Sequence, residues 1–465
     1  MSKTFAISIV RTLREKGHQA YLVGGCVRDL LLGREPSDYD VATDALPREV
    51  MQIFPETYAV GAQFGVVLVP ISEAEPGPDR PAAGREESAL GGRRHKASIE
   101  VATFRRDLGY SDGRHPDSVS FTRDPEEDVK RRDFTINGLL SDPIENRILD
   151  FVGGERDLQS GIIRAIGEAG ERFREDKLRM MRGVRFAARF AWTIEEGTFR
   201  AICQLAPEIH AVSRERVRDE LTRMLTEGRA RRAFELLDQA RLLAEVLPEI
   251  AAMKGVEQPP QYHPEGDVFT HTLLMLEQLP AACSATLAWG VLLHDVGKPP
   301  TFRRAPDRIR FDEHARVGAR MAEEISRRLR FSRDETAQIS ALVGNHMRFA
   351  DVEKMKPSTF KKFIRLPRFG EHLELHRLDC ASSHRNLRLY EFTREQIRGL
   401  PPEAVDPAPL LSGDDLIAAG YAPGPQFKEI LDAVEDAQLD GRLHSRREAI
   451  EFVGREFPPQ ARSNE

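Results

Sequence analysis

The stretch YLVGGCVRDLLLGREPSDYDVATDA, residues 21–45, constrains this chain more than any other. A short apolar run ends in a glycine pair and gives way to VRDLLLG, the pattern of a strand that turns sharply into a helix. The turn amides and the helix N-terminus then face one point with Arg28 one turn along, and Gly24, Gly25 and Arg28 frame a hollow for a triphosphate. SDYDVAT reads as a second strand, and a period of two puts Asp38 and Asp40 on one face. Two carboxylates so placed hold a pair of divalent ions. One ion of such a pair activates an attacking hydroxyl while the other neutralises a triphosphate and its leaving group. Glu100, in the run SIEVATFR, is the candidate third ligand.

The rest of the chain is organised around that head. With 465 residues, 40% of them hydrophobic and 31% charged, there is material for about three domains. Residues 1–150 alternate short β-rich runs with helical ones, which predicts an α/β head. Within it, 72–98 is rich in Pro, Gly and charge and reads as a disordered insertion between two strands. A helical neck follows over 151–255, then a second helical block with many histidines over 256–398, and a helical tail over 399–465 entered through the proline-rich LPPEAVDPAPLLSG. No apolar run is long enough for a signal peptide or a membrane span, so a cytoplasmic location is expected. The four cysteines (Cys26, Cys203, Cys283 and Cys380) are widely spaced with no C-x-x-C pair, so neither a disulfide framework nor a zinc ribbon is indicated. A formal charge of −6 argues against a generally basic nucleic-acid coat but leaves room for local basic patches.

These motifs carry a resemblance. The head and the helices after it resemble the class II branch of the DNA polymerase β-like nucleotidyltransferases, the family of bacterial CCA-adding enzymes and bacterial poly(A) polymerases. The resemblance covers about residues 1–250, with GGCVRDLLLG and SDYD as its first motif. It implies metal-binding roles for Asp38 and Asp40 and triphosphate contacts for Gly24, Gly25 and Arg28. RRDFTING (131–138) is similar to the second motif, which implies sugar and phosphate contacts for Arg132, Asp133 and Asn137. LDFVGGERDL (149–158) resembles the third, a hinge between head and neck with Asp150, Gly153, Gly154 and Asp157. EDKLRMMRGVRFAARF (175–190) resembles the fourth, and VSRERVRDEL (212–221) the fifth, which mostly stabilises helices.

The fourth motif also has a reading from chemistry. On a helix, Asp176 and Arg179 are three apart and therefore neighbours, with Arg182, Arg185 and Arg189 continuing the charged side. A carboxylate accepts from an exocyclic amine, and a guanidinium donates to ring nitrogen or carbonyl acceptors. Cytosine and adenine show an amino group beside an unprotonated ring nitrogen, whereas uracil and guanine show a keto oxygen beside N–H. One Asp/Arg pair therefore accepts C and A and rejects U and G, with no nucleic-acid template. The alternative is an ordinary surface ion pair. Between the head's strands, 105–134 reads as a polar loop; the family's mobile loop here takes part in the change from C to A addition, and this one is not visibly short.

The histidine block has a constellation of its own. His271, the adjacent His294 and Asp295 in HDVGK, His314, His346 and Asp379 form an H…HD…H…H…D series. It resembles an HD-type metal-dependent phosphohydrolase domain, which implies His271, His294, Asp295 and Asp379 as core ligands and His314 and His346 as completing a binuclear site. Imidazoles and carboxylates suit Mn, Fe, Ni or Mg and water activation on a phosphoester. A purely structural HD fold is the alternative. The tail resembles the C-terminal segment of HD-bearing CCA-adding enzymes, with Lys428 where that pattern has glycine.

The expectation is thus an α/β nucleotidyltransferase head followed by all-α neck, HD and tail domains, using Mg2+, CTP and ATP on the 3′ end of tRNA, with a second divalent metal in the HD domain. Poly(A) polymerase or A-only addition stays open within the class, as does an HD phosphohydrolase whose head only binds RNA. A regulatory RNA-binding protein with both sites silent sits badly with two complete ligand sets. Oligomeric state is left open.

Overall fold

Every side chain of β1 (Ala20–Val23) is buried, and its alternate residues enter two different cores. Ala20 and Leu22 pack with Ile9, Val10 and Leu13 of the amphipathic helix Ser2–Glu15. Tyr21 and Val23 face the opposite way, towards Phe104, Val129 and Leu140. A strand covered on both faces has to read as a continuous apolar run, which is why AYLV does. The computed structural model describes residues 2–59, 64–71, 98–110, 116–261 and 263–458.

The head is built on one sheet of six strands. The others are β2 (Asp40–Thr43), β3 (Val66–Pro70), β4 (Ser98–Thr103), β7 (Leu139–Asp142) and β8 (Arg147–Asp150), in the order β3-β4-β2-β1-β7-β8. β2 and β4 run parallel and the remaining neighbours antiparallel. Ser98 opens β4, and the insertion expected over 72–98 otherwise lies outside the described residues. The polar loop expected over 105–134 is instead a hairpin, β5 (Arg105–Leu108) with β6 (Ser118–Phe121), followed by the helix Pro125–Lys130 capped by Asp124. SVSF reads as a β-rich run and forms β6, whereas the charged RRDL of β5 gives no strand signal.

Two compact units follow from how the chain folds back on itself: Met1–Met224 with Arg232–Leu247, and Leu225–Arg231 with Pro248–Glu465. In the first unit, Asp150 accepts the amides of Val152, Gly154 and Glu155 and so starts the helix Gly154–Ser160, while Asp157 takes the Thr135 hydroxyl and the Arg164 guanidinium. The third motif is thereby a packed corner. The helix Leu178–Phe190 stacks Phe186 and Phe190 into a ladder with Phe134 and Trp192.

The second unit is helical. Ala285–Leu293 is buried from Thr286 to Leu293, as a helix that is apolar all round must be. Around it lie Val268–Glu277, Arg333–Asn345 and Phe369–Ser382, with His314–Arg328 against Arg333–Asn345. The tail helices Gln426–Leu439 and Arg446–Glu456 form a small core of their own with Leu416 and Tyr421, and Lys361 and Ser358 bond to Leu439 and Asp440. Among the described residues no helix is long and apolar enough to cross a membrane.

Candidate functional sites in the head and the histidine block

Asp40 opens β2, and its Cα partner across the parallel ladder is Glu100 of β4. Paired residues on neighbouring strands share a face, so both carboxylates project from the face opposite the Ile99 and Val101 core. Asp38 departs from its expectation. β2 begins only at Asp40, and Asp38 lies two residues before it, outside the strand, exposed and bonded by the Ser37 hydroxyl. It is still near enough to act: burial pushes the Asp40 carboxyl up to about 6, with Glu100 and Asp38 adding to the rise and Arg132 opposing it. Carboxylate oxygens are the donors a hard divalent cation takes, but the three are not drawn into one ligand cluster as the residues of the histidine block are.

The glycine turn supplies the other wall. Gly24 has φ +77°, a conformation that costs an L side chain, and a Cβ there would lie 3.3 Å from Arg132 Nη1. Arg132 therefore lies over the turn. The Gly24 amide itself donates to the Leu139 carbonyl and extends the sheet, so the turn amides facing the hollow begin at Gly25. Arg28, expected to contact a triphosphate, is buried: it bonds Asp29 and Asn137 and lies over the Phe186 and Phe190 rings. From Asn137 the line continues, since its amide donates to Asp133 Oδ1 at 3.0 Å and Arg182 donates to Asp133 Oδ2 at 2.9 Å. Against the upward push of burial, Arg182 and Asn137 hold the Asp133 carboxyl down to about 2. One bonded chain thus joins the glycine-turn helix, the second motif and the fourth.

The fourth motif differs from its expected geometry. Its helix starts at Leu178, so Asp176 precedes it and the i,i+3 side-chain pair with Arg179 does not form. Arg179 bonds Glu175 and the carbonyls of Arg172 and Arg131. Asp176 instead accepts both terminal nitrogens of Arg216, at 3.1 and 2.7 Å. Arg185, expected among the nucleotide contacts, is buried in an ion pair with Glu220 and stacked on Phe186. Arg216 and Glu220 both come from VSRERVRDEL, whose dense alternation of charge was the one available signal that the segment has buried partners.

In the histidine block all six expected residues meet. His271, His294 and Asp379 bring ligand atoms together in one cluster, and Asp295, His314 and His346 in a second. His294, His314 and His346 each direct Nδ1 at the carbonyl three residues earlier, Val291, Phe311 and Val343, which turns Nε2 inward. His314 and His346 Nε2 lie 3.7 and 3.8 Å from Asp295 Oδ1. Gly297 makes this possible, because a Cβ there would fall 2.1 Å from the His314 carbonyl oxygen. His271 Nε2 lies 3.2 Å from Asp379 Oδ1 and His294 Nε2 3.1 Å from Asp295 Oδ2, without the alignment of hydrogen bonds, and Asp295 Oδ1 is buried with no hydrogen-bond partner, so imidazole nitrogens and carboxylate oxygens converge in a donor set that fits a divalent cation. Four residues were missed. Glu265 accepts from His271 Nδ1 at 2.7 Å and from His263 Nδ1 at 2.9 Å, and Lys298 holds Asp295 and Gln258. A cavity of about 480 Å³ opens onto Asp295, His314, His346 and Asp379, with Arg308 and Arg310 on its wall.

Comparison with known proteins gives three family matches: a poly A polymerase head domain over residues 20–164, a probable RNA- and SrmB-binding site of polymerase A over 192–254, and an HD domain over 268–386. A CCA-adding enzyme of Lactobacillus helveticus is 30% identical over 447 residues, 96% of this chain and 95% of its own. One from Geobacillus kaustophilus is 42% identical over 247 residues, so that the match spans 53% of this chain and only 55% of that relative's length. Among solved structures, the Bacillus stearothermophilus CCA-adding enzyme in complex with CTP superimposes with a TM-score of 0.70 at 28% identity, covering 97% of this chain and 96% of the other. The Thermotoga maritima CCA-adding enzyme complexed with tRNA, at 20% identity and a TM-score of 0.57 over 97% of this chain and 94% of that one, shares the fold.

Proposed function

The chain belongs to the family of CCA-adding enzymes, and on that premise we propose that it adds C and A to the 3′ end of tRNA from CTP and ATP without a nucleic-acid template. The observation that carries this reading is the pairing of Asp40 with Glu100 in register on parallel strands, next to the glycine turn whose helix a line of hydrogen bonds ties to the fourth motif. Asp38, Asp40 and Glu100 would hold Mg2+, which when bound supplies positive charge at the reacting phosphate. Arg132 adds charge over the glycine turn, where the triphosphate sits. Arg28, Asn137, Asp133 and Arg182 act as a frame that fixes the turn against the helix carrying the base-reading residues. Asp176 accepts the exocyclic amine and Arg179 donates to the ring acceptor. Lys and Arg of neck and tail contact the tRNA backbone, so affinity falls as salt rises.

Purified protein incubated with Mg2+ and labelled CTP or ATP, on tRNA transcripts ending at the discriminator base, at C or at CC, tests the proposal. All three should grow to one CCA end. Long A tails would make it a poly(A) polymerase, and addition only to the CC end an A-adding enzyme.

A second activity rests on the histidine block. His271, His294, Asp295, His314, His346 and Asp379 would hold divalent metal, whose identity among Mn, Fe, Ni and Mg is open and which when bound supplies an activated water to a phosphoester. The convergence of buried imidazole nitrogens and carboxylate oxygens in two adjacent three-residue clusters favours that over a purely structural fold.

A further inference from the structure

Asp176 is the acceptor proposed to read the exocyclic amine, yet its carboxylate is already held by a residue outside its own motif. Arg216, in the first turn of the helix Arg214–Thr226, donates to Asp176 Oδ1 at 3.1 Å and to Oδ2 at 2.7 Å. The Leu178 amide donates to Oδ1 as well, at 3.1 Å. A carboxylate has about four lone-pair sites. The three bonds fill both sites of Oδ1 and one of Oδ2, and the fork geometry of a guanidinium prevents the carboxylate from turning. Neither side chain is on open surface: Arg216 is 22% exposed and Asp176 16%.

We propose that Arg216 is a specificity-positioning residue for nucleotide choice, acting through Asp176 and rested on the reading of Asp176 as the base contact. The difference between C or A and U or G is the exchange of a donor with an acceptor one atom away on the ring. An acceptor free to rotate follows the donor: it reaches the ring N–H of U or G as readily as the amine of C or A. An acceptor held by Arg216 offers one lone pair in one direction, and only the amine meets it. Lysine in place of Arg216 would keep the charge but lose the second bond and the plane, so it should restore selection only in part.

The experiment measures kcat/KM for CTP and for UTP on a tRNA transcript ending at the discriminator base, and for ATP and GTP on one ending at CC, for the wild type, Arg216→Met, Arg216→Lys and Asp176→Ala. Glu220→Gln, which alters the same helix without touching Asp176, controls for loosened packing, and melting temperatures check the fold. Arg216→Met is expected to lower the CTP-to-UTP ratio by about tenfold or more, with Arg216→Lys between it and the wild type and Glu220→Gln at the wild-type ratio. If Asp176→Ala relaxes selection while Arg216→Met keeps it, the positioning role is wrong and the base contact stands. An equal relaxation in Glu220→Gln would overturn it too, as a packing effect. If Asp176→Ala itself still takes only C and A, the base contact is wrong and the positioning role falls with it.

Discussion

Arg28 donates to Asn137 Oδ1 at 2.6 Å across 109 residues of chain, and through that one bond the helix after the glycine turn is tied to the second motif. Asn137 is the middle of the line that ends at Arg182. Asn137→Ala should therefore strand part of a buried guanidinium, at a cost of about 1–3 kcal/mol, and lower transfer with CTP and ATP alike. Melting temperature and initial rates check this; a loss confined to one nucleotide would not fit a frame common to both.

Burial and the neighbouring Glu100 and Asp38 raise the Asp40 carboxyl, and Asp40→Asn should relieve that cost while removing the ligand. Changes one shell out from a metal typically cost about 10- to 100-fold. A direct ligand should cost more than that, with the melting temperature in the absence of metal unchanged or higher. Gel-resolved primer extension gives the first number and calorimetry the second.

Arg185 and Glu220 form a buried pair, at 3% and 5% exposure. Removing one partner by Glu220→Ala should destabilise the protein by about 3–5 kcal/mol, and replacing both by Met and Leu should recover most of it. The double variant should keep its KM for CTP. A raised KM in a stable double variant would return Arg185 to the nucleotide contacts.

In the histidine block, Asp295→Ala should abolish phosphoester hydrolysis and leave C and A addition at the wild-type rate. Glu265→Gln should weaken metal retention by about 10- to 100-fold, because Glu265 orients His271 through Nδ1. Metal content after dialysis measures the latter without reference to activity.

His372 is 1% exposed and neither ring nitrogen has a partner, and burial pulls its pKa from 6.5 down to about 4. Between those values the unfolded chain binds a proton that the folded site refuses, so stability falls as pH drops from about 6.5 towards 4. The full loss amounts to about 3 kcal/mol. His372→Leu should melt near the wild type at pH 8 and above it at pH 5; parallel acid profiles for the two proteins would contradict this.

What could be read from the sequence divides along a physical line. Residues 21–45 announce a strand, a turn and a second strand because apolar period, glycine pair and charge spacing are local signals, and the HD series is legible because metal ligands must be His and Asp. Partner choice is not local. Asp176 and Arg179 are three residues apart and suggest a pair, but whether they bond depends on where the helix begins, and a carboxylate next to the start of one helix was taken by Arg216 from another. Arg28 and Arg185 look like ligand contacts in a list of arginines, yet both are buried against Asn137 or Glu220, more than 30 residues away in chain. The strand Leu139–Asp142 escaped notice because four residues after a tight turn carry too little periodicity to be seen.

The central claim is untemplated selection of C and A. A single tRNA transcript ending at the discriminator base, incubated with Mg2+ and all four nucleoside triphosphates together, followed by sequencing of the new 3′ ends, addresses it in one step. The account predicts products that end in CCA and stop there, free of U and G. Ends containing U or G, or runs of A without the two preceding C residues, would contradict it.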